Sequence, residues 1–67
     1  EHAAAIDSYK EALAVYPDCF SAHKNLGLLY YRLNDNKAAI EYLNGAYKIK
    51  ADDSEVLETL SKLHGGK

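Results

Sequence analysis

Moved 34 residues along itself, the chain falls on its own pattern: Ala4 on Ala38, Ala5 on Ala39, Ile6 on Ile40, Ala12 on Ala46, Asp18 on Asp52, Leu26 on Leu60 and Leu29 on Leu63. Asp7 against Glu41 and Val15 against Ile49 are conservative pairs in the same register. A fixed period of this length marks a repeat architecture, in which one supersecondary unit is copied along the chain and each copy buries its apolar face against its neighbour. The identities fall mainly on small and branched residues, the types that sit where helices touch.

The period of the apolar residues is helical throughout. Ala5, Ile6, Tyr9, Ala12 and Leu13 form a stripe on a first helix that Pro17 closes near Tyr16, because proline lacks an N–H and disfavours helical geometry in the residue before it. Asp18 is expected to cap a second helix over about 20–33, whose residues Phe20, Leu26, Leu28, Leu29, Tyr30, Tyr31 and Leu33 are apolar on more than one face and so call for packing on two sides. Asn34 tolerates the left-handed conformation that ends a helix, and Asp35 caps a third helix over about 36–49. That helix repeats the stripe of the first as Ala39, Ile40, Leu43, Ala46 and Tyr47, interrupted by Gly45 at about 1 kcal/mol relative to alanine. Asp52, with Glu55 three residues on, reads as a capping box for a fourth helix through about Leu63, and Gly65 and Gly66 end it.

The middle of the chain reads His23, Leu26, Gly27, Tyr30, then Ala39, Leu43 and Ala46, with Ala51 one period after Pro17. This resembles the tetratricopeptide repeat, a helical hairpin marked by W-x2-L-G-x2-Y, A-x3-F and a terminal proline. The resemblance implies an all-α antiparallel helix-turn-helix solenoid of four helices. Residues 1–16 would be the second helix of a preceding unit, 20–53 a complete hairpin, and 54–64 the first helix of a following unit or a capping helix. His23 stands where the family has tryptophan and Ala51 where it has proline, which is expected to loosen packing locally without changing topology. Arrays of this kind usually need about three units, so the chain reads as part of a longer array or larger complex.

By the same resemblance, the first helix of the hairpin lines a concave groove that takes an extended peptide or a partner helix. The groove face would present Ser21, Lys24, Asn25, Leu28, Tyr31 and Arg32, extended by Glu55, Glu58, Thr59 and Lys62. An Asn25 amide can pair with a peptide backbone, Lys24 and Arg32 can hold a carboxylate, and Leu28 and Tyr31 supply apolar contact. The alternative is that Lys24 and Arg32 pair with Glu55 or Glu58 across neighbouring helices, each exposed pair contributing about 0–1 kcal/mol. Members of the family that clamp a carboxylate carry basic residues where this chain has Glu55 and Thr59, which speaks against that ligand.

Composition narrows the function class from the other side. A formal net charge of −2 gives no general attraction to nucleic acid, and no apolar run approaches the roughly 20 residues of a membrane span. A lone cysteine forbids an intrachain disulfide and is compatible with a cytoplasmic or nuclear compartment. Cys19 and His23 lack the second pair of ligands a zinc site needs, and no orienting acid makes them a catalytic dyad. Asp52 and Asp53 are explained by a helix start, and most of the six tyrosines by packing. The expectation is a scaffold or adaptor for protein or peptide partners, with no enzyme activity and no cofactor. A solenoid attached to an enzyme and recruiting its substrate is the second reading.

Overall fold

A computed structural model describes residues 2–65. It contains four helices: α1 (His2–Val15), α2 (Phe20–Arg32), α3 (Asn36–Ile49) and α4 (Ser54–Gly65). No strand occurs among the described residues. Each helix packs on the next in the chain, and the pairing of α2 with α3 is the most extensive. The fold class is therefore all-α, built of antiparallel helical hairpins, as the periodicity requires.

The α2–α3 turn follows from two residues. Asn34 has φ of 64°, the left-handed conformation in which Asn, alone with Asp and Gly, is common. With the chain turned back there, Asn34 N–H donates to Tyr31 O at 3.1 Å and Asp35 N–H to Tyr30 O at 3.0 Å, the paired bonds of a Schellman ending. Asp35 then caps α3, its carboxylate accepting from Ala38 N at 3.3 Å. These two residues thus end one helix and start the next.

The other two caps differ from the sequence expectation by one residue. Cys19, not Asp18, is the N-cap of α2, and no side chain bonds the free amides there. At α4 the cap is Asp53 and not Asp52: Val56 N–H donates to Asp53 Oδ1 at 3.0 Å. Asp18 and Asp52 are related by the sequence period, as are Cys19 and Asp53, so both starts are displaced in the same sense by the path of the turn.

Leu26, Leu43 and Val56 are the largest fully buried side chains, one from each of α2, α3 and α4. Each contributes roughly 1.5–3 kcal/mol through burial. Leu43, Ala46, Val56 and Leu60 form the central cluster, with Phe20, Leu28 and Leu63 packed on its margin. No residue of α1 is fully buried, and its stripe of Ala5, Ile6, Tyr9, Ala12 and Leu13 is half-buried. Tyr30 stacks on Tyr42 with ring centroids 5.7 Å apart, a packing role as expected, whereas Tyr47 is exposed.

Two glycines set the distance between α2 and α3. A Cβ on Gly27 would lie 2.6 Å from Leu43 Cγ and 3.1 Å from the Leu43 main-chain nitrogen. A Cβ on Gly45 would lie 2.7 Å from His23 Nδ1. Gly45 is therefore not a mere interruption: it makes room for the imidazole that takes the place of a larger indole. Alanine at position 27 should lower stability by about 1–2 kcal/mol in urea unfolding, because overpacking outweighs the gain of about 1 kcal/mol in helix propensity. A more stable Gly27→Ala chain would show that α2 and α3 are not closely packed there.

Candidate functional site

The outward side of α2 is built by the same register that buries Leu26 and Gly27. Ser21, Asn25 and Arg32 are exposed, while Lys24, Leu28 and Tyr31 are half-buried. Leu28 rests on the central cluster, so it anchors the surface as much as it offers contact. Arg32 forms no ion pair among the described residues, and it stands in the last turn of α2, where the helix dipole favours a cation.

Lys24 is committed to the fold. Its Nζ lies 3.2 Å from Asp53 Oδ2 and 3.1 Å from Glu55 Oε1, and 5.9 Å from the centroid of the Phe20 ring. Lys50 approaches the same ring at 5.6 Å. Hydrogen bonds to Glu55 first, and then to Asp53, raise the proton affinity of the Lys24 ammonium above that of an ordinary lysine. The Val56 N–H bonded to Asp53, and next the nearby Lys24, hold the Asp53 carboxyl below the usual carboxylate range. The pairing of Lys24 across to α4 is thus the alternative that the sequence left open, and Asp53 is the partner it did not name. Its place three residues before Val56 was the available signal, masked by the adjacent Asp52.

The bridge ties the start of α4 to α2. Glu55 and Glu58 are exposed on α4, and Glu58 lies 3.8 Å from Lys62 one turn on. Thr59, expected as an extension of the groove, is buried instead, and its hydroxyl donates to Glu55 O at 2.9 Å. Threonine commonly satisfies a buried hydroxyl in this way within a helix. Its side chain is therefore spent inside the protein.

The succession of hairpins, the two glycine contacts and the 34-residue register find their counterpart in a known repeat: the family model of the tetratricopeptide repeat matches residues 1–54. The chain belongs to the tetratricopeptide repeat family. It is also 34% identical over 59 residues to a protein described as Protein CTR9 homolog from Arabidopsis thaliana, an alignment covering 88% of this chain and 5% of that protein. The chain therefore spans about a twentieth of the curated relative. No solved structure gives a significant match. Tetratricopeptide repeats generally mediate protein–protein interaction, and no helix among the described residues is long and apolar enough to cross a membrane.

Acid should weaken the bridge through Asp53. Because the Asp53 carboxyl is held below its ordinary value, the stability it contributes is complete above about pH 4, the unfolded range, and is lost as pH falls through the folded value. Asp53→Asn retains a capping oxygen but loses the ion pair, whereas Asp53→Ala loses both. Thermal melts at pH 7 should therefore rank wild type above Asp53→Asn above Asp53→Ala, and the gap between wild type and Asp53→Asn should narrow as pH falls below about 4. A gap that stays constant as pH falls would contradict the ionic role.

Proposed function

We propose that the chain is a protein-interaction scaffold in which the joined outer side of α2 and α4 holds an extended peptide or a partner helix. The observation that carries this reading is the division of labour along α2. Lys24 is engaged with α4, while Ser21, Asn25 and Arg32 keep their polar ends in solvent beside the half-buried Leu28 and Tyr31. Asn25 offers one donor and one acceptor to a main chain, Arg32 offers a planar fork to a carboxylate, and the two apolar residues supply the area between them. The favoured ligand is thus an extended segment with an acidic residue toward the C-terminal end of α2.

On this reading residues 1–16 complete a preceding unit, 20–53 form a full hairpin and 54–64 begin another, within a longer array. The absence of any fully buried residue on α1 supports a neighbour on its far side. A solenoid that recruits a substrate to an attached enzyme would use the same surface, and the sequence of the parent chain separates the two.

The test is selection of binders from a displayed peptide library, followed by calorimetry on variants. Arg32→Glu and Tyr31→Ala should each weaken the selected peptides about tenfold, as loss of an interface anchor does. Substitutions at Glu41, Asn44 and Lys48, exposed on α3, should leave affinity unchanged. The opposite pattern, with loss on α3 and indifference at Asn25, Tyr31 and Arg32, would place the binding surface elsewhere.

A further inference from the structure

One line of α1 is a copy, one period earlier, of the line of α3 that α2 covers. Ala4, Ser8, Glu11 and Val15 recur at helical spacing, so they share one side of α1, and all of them are exposed. One period later the same line reads Ala38, Tyr42, Gly45 and Ile49. There α2 lies over it: Tyr30 stacks on Tyr42, and the His23 ring comes within 2.7 Å of where a Cβ on Gly45 would stand. Ala38, Tyr42 and Gly45 are half-buried, and Ile49 is 39% exposed against 66% for Val15. Beside the line, Ala39, Leu43 and Ala46 are fully buried in α3, whereas their counterparts Ala5, Tyr9 and Ala12 are half-buried in α1. The open side of α1 thus carries the α2–α3 seam one unit further.

What fits it follows from the differences along the line. Glu11 stands in the place of Gly45, so a rigid ring seated as His23 is would overlap its Cβ. A long flexible stem can pass beside that atom, and a cation at its end meets the Glu11 carboxylate, which forms no ion pair among the described residues. Asp7, exposed one turn earlier, adds negative charge, while Lys10 is turned to the Tyr30 phenol. Tyr9 stands in the place of Leu43, which already needs glycine at position 27, so a glycine is needed opposite the larger tyrosine too. Ser8 stands in the place of Tyr42 and leaves room for an aromatic ring where Tyr30 lies. The chain's own α4 carries Leu57, Ser61 and His64 at the three corresponding places, an apolar branch against the carboxylate and a side chain where glycine is needed. A second copy is therefore a poor occupant.

We propose that the open side of α1 seats a helix of the preceding unit of the array, and that Glu11 selects it. That helix carries arginine or lysine at the place of His23, glycine at the place of Gly27 and a large aromatic residue at the place of Tyr30. The selection rests on the reading of the chain as part of a longer array.

The test adds a helix to the intact 67-residue chain. A copy of residues 19–34, which is α2 with its own cap and turn, is placed ahead of residue 1, as α2 stands ahead of residue 35. Three copies are compared: unaltered, with His23→Arg, and with His23→Leu, Gly27→Ser and Tyr30→His together, the pattern of α4. The arginine copy should melt about 5 °C above the unaltered copy, the scale of one favourable contact in a chain this short, and the α4-pattern copy should melt lowest. Glu11→Gly, which gives α1 the residue that α3 has there, should reverse the order of the first two and so separates the pairing from the helix propensity of arginine. Hydrogen exchange at the Ser8 and Glu11 amides should slow when the arginine copy is present. Equal midpoints with slowed α1 amides would overturn the selection by Glu11 and leave the array standing. Unchanged exchange in α1 with all three copies would overturn both.

Discussion

The close approach of α2 and α3 governs the rest of the structure. It is made reciprocally: Gly27 of α2 receives Leu43 of α3, and Gly45 of α3 receives His23 of α2. Each glycine weakens its own helix by about 1 kcal/mol relative to alanine. Each also lets a larger side chain from the partner sink to the level of the backbone, and the full burial of Leu43, Ala39 and Ala46 follows. Local helix propensity is sacrificed to tertiary packing, which is how a chain of this size holds together.

From that seam the packing is handed on in one direction more strongly than in the other. Leu43 and Ala46 also touch Val56 and Leu60, so α3 serves as the floor for both its neighbours. Once α4 lies there, Asp53 and Glu55 come within reach of Lys24, and the ionic bridge registers α4 beside α2. It contributes little energy in itself, being partly exposed. Its consequence is spatial, since it ties the start of α4 to α2 and engages Lys24 within the fold. Toward the other end, α1 packs on α2 with no fully buried residue of its own.

What could be read from the sequence was local or periodic. Asn34 and Asp35 carry their turn chemistry in their own side chains, and the structure places the ending of α2 and the start of α3 where those residues indicate. The resemblance to the repeat likewise separated the buried Leu26 and Gly27 from the exposed Asn25 and Arg32. Periodicity assigns a residue to a face, but it does not say what stands opposite. The partners of Lys24 lie beyond the next turn, the match of His23 to Gly45 depends on two helices meeting, and the choice between Asp52 and Asp53 as a cap depends on the backbone path between adjacent, chemically identical residues. Thr59 was assigned outward by analogy with its place in the repeat, and the packed structure shows it buried.

Amide hydrogen exchange on the intact chain tests the primacy of the α2–α3 seam most directly, because it ranks the stability of each helix separately. The slowest amides should fall at Leu26–Leu29 of α2 and Leu43–Ala46 of α3, with α1 exchanging faster than either. Protection that is strongest in α1, or uniform across the four helices, would contradict the account.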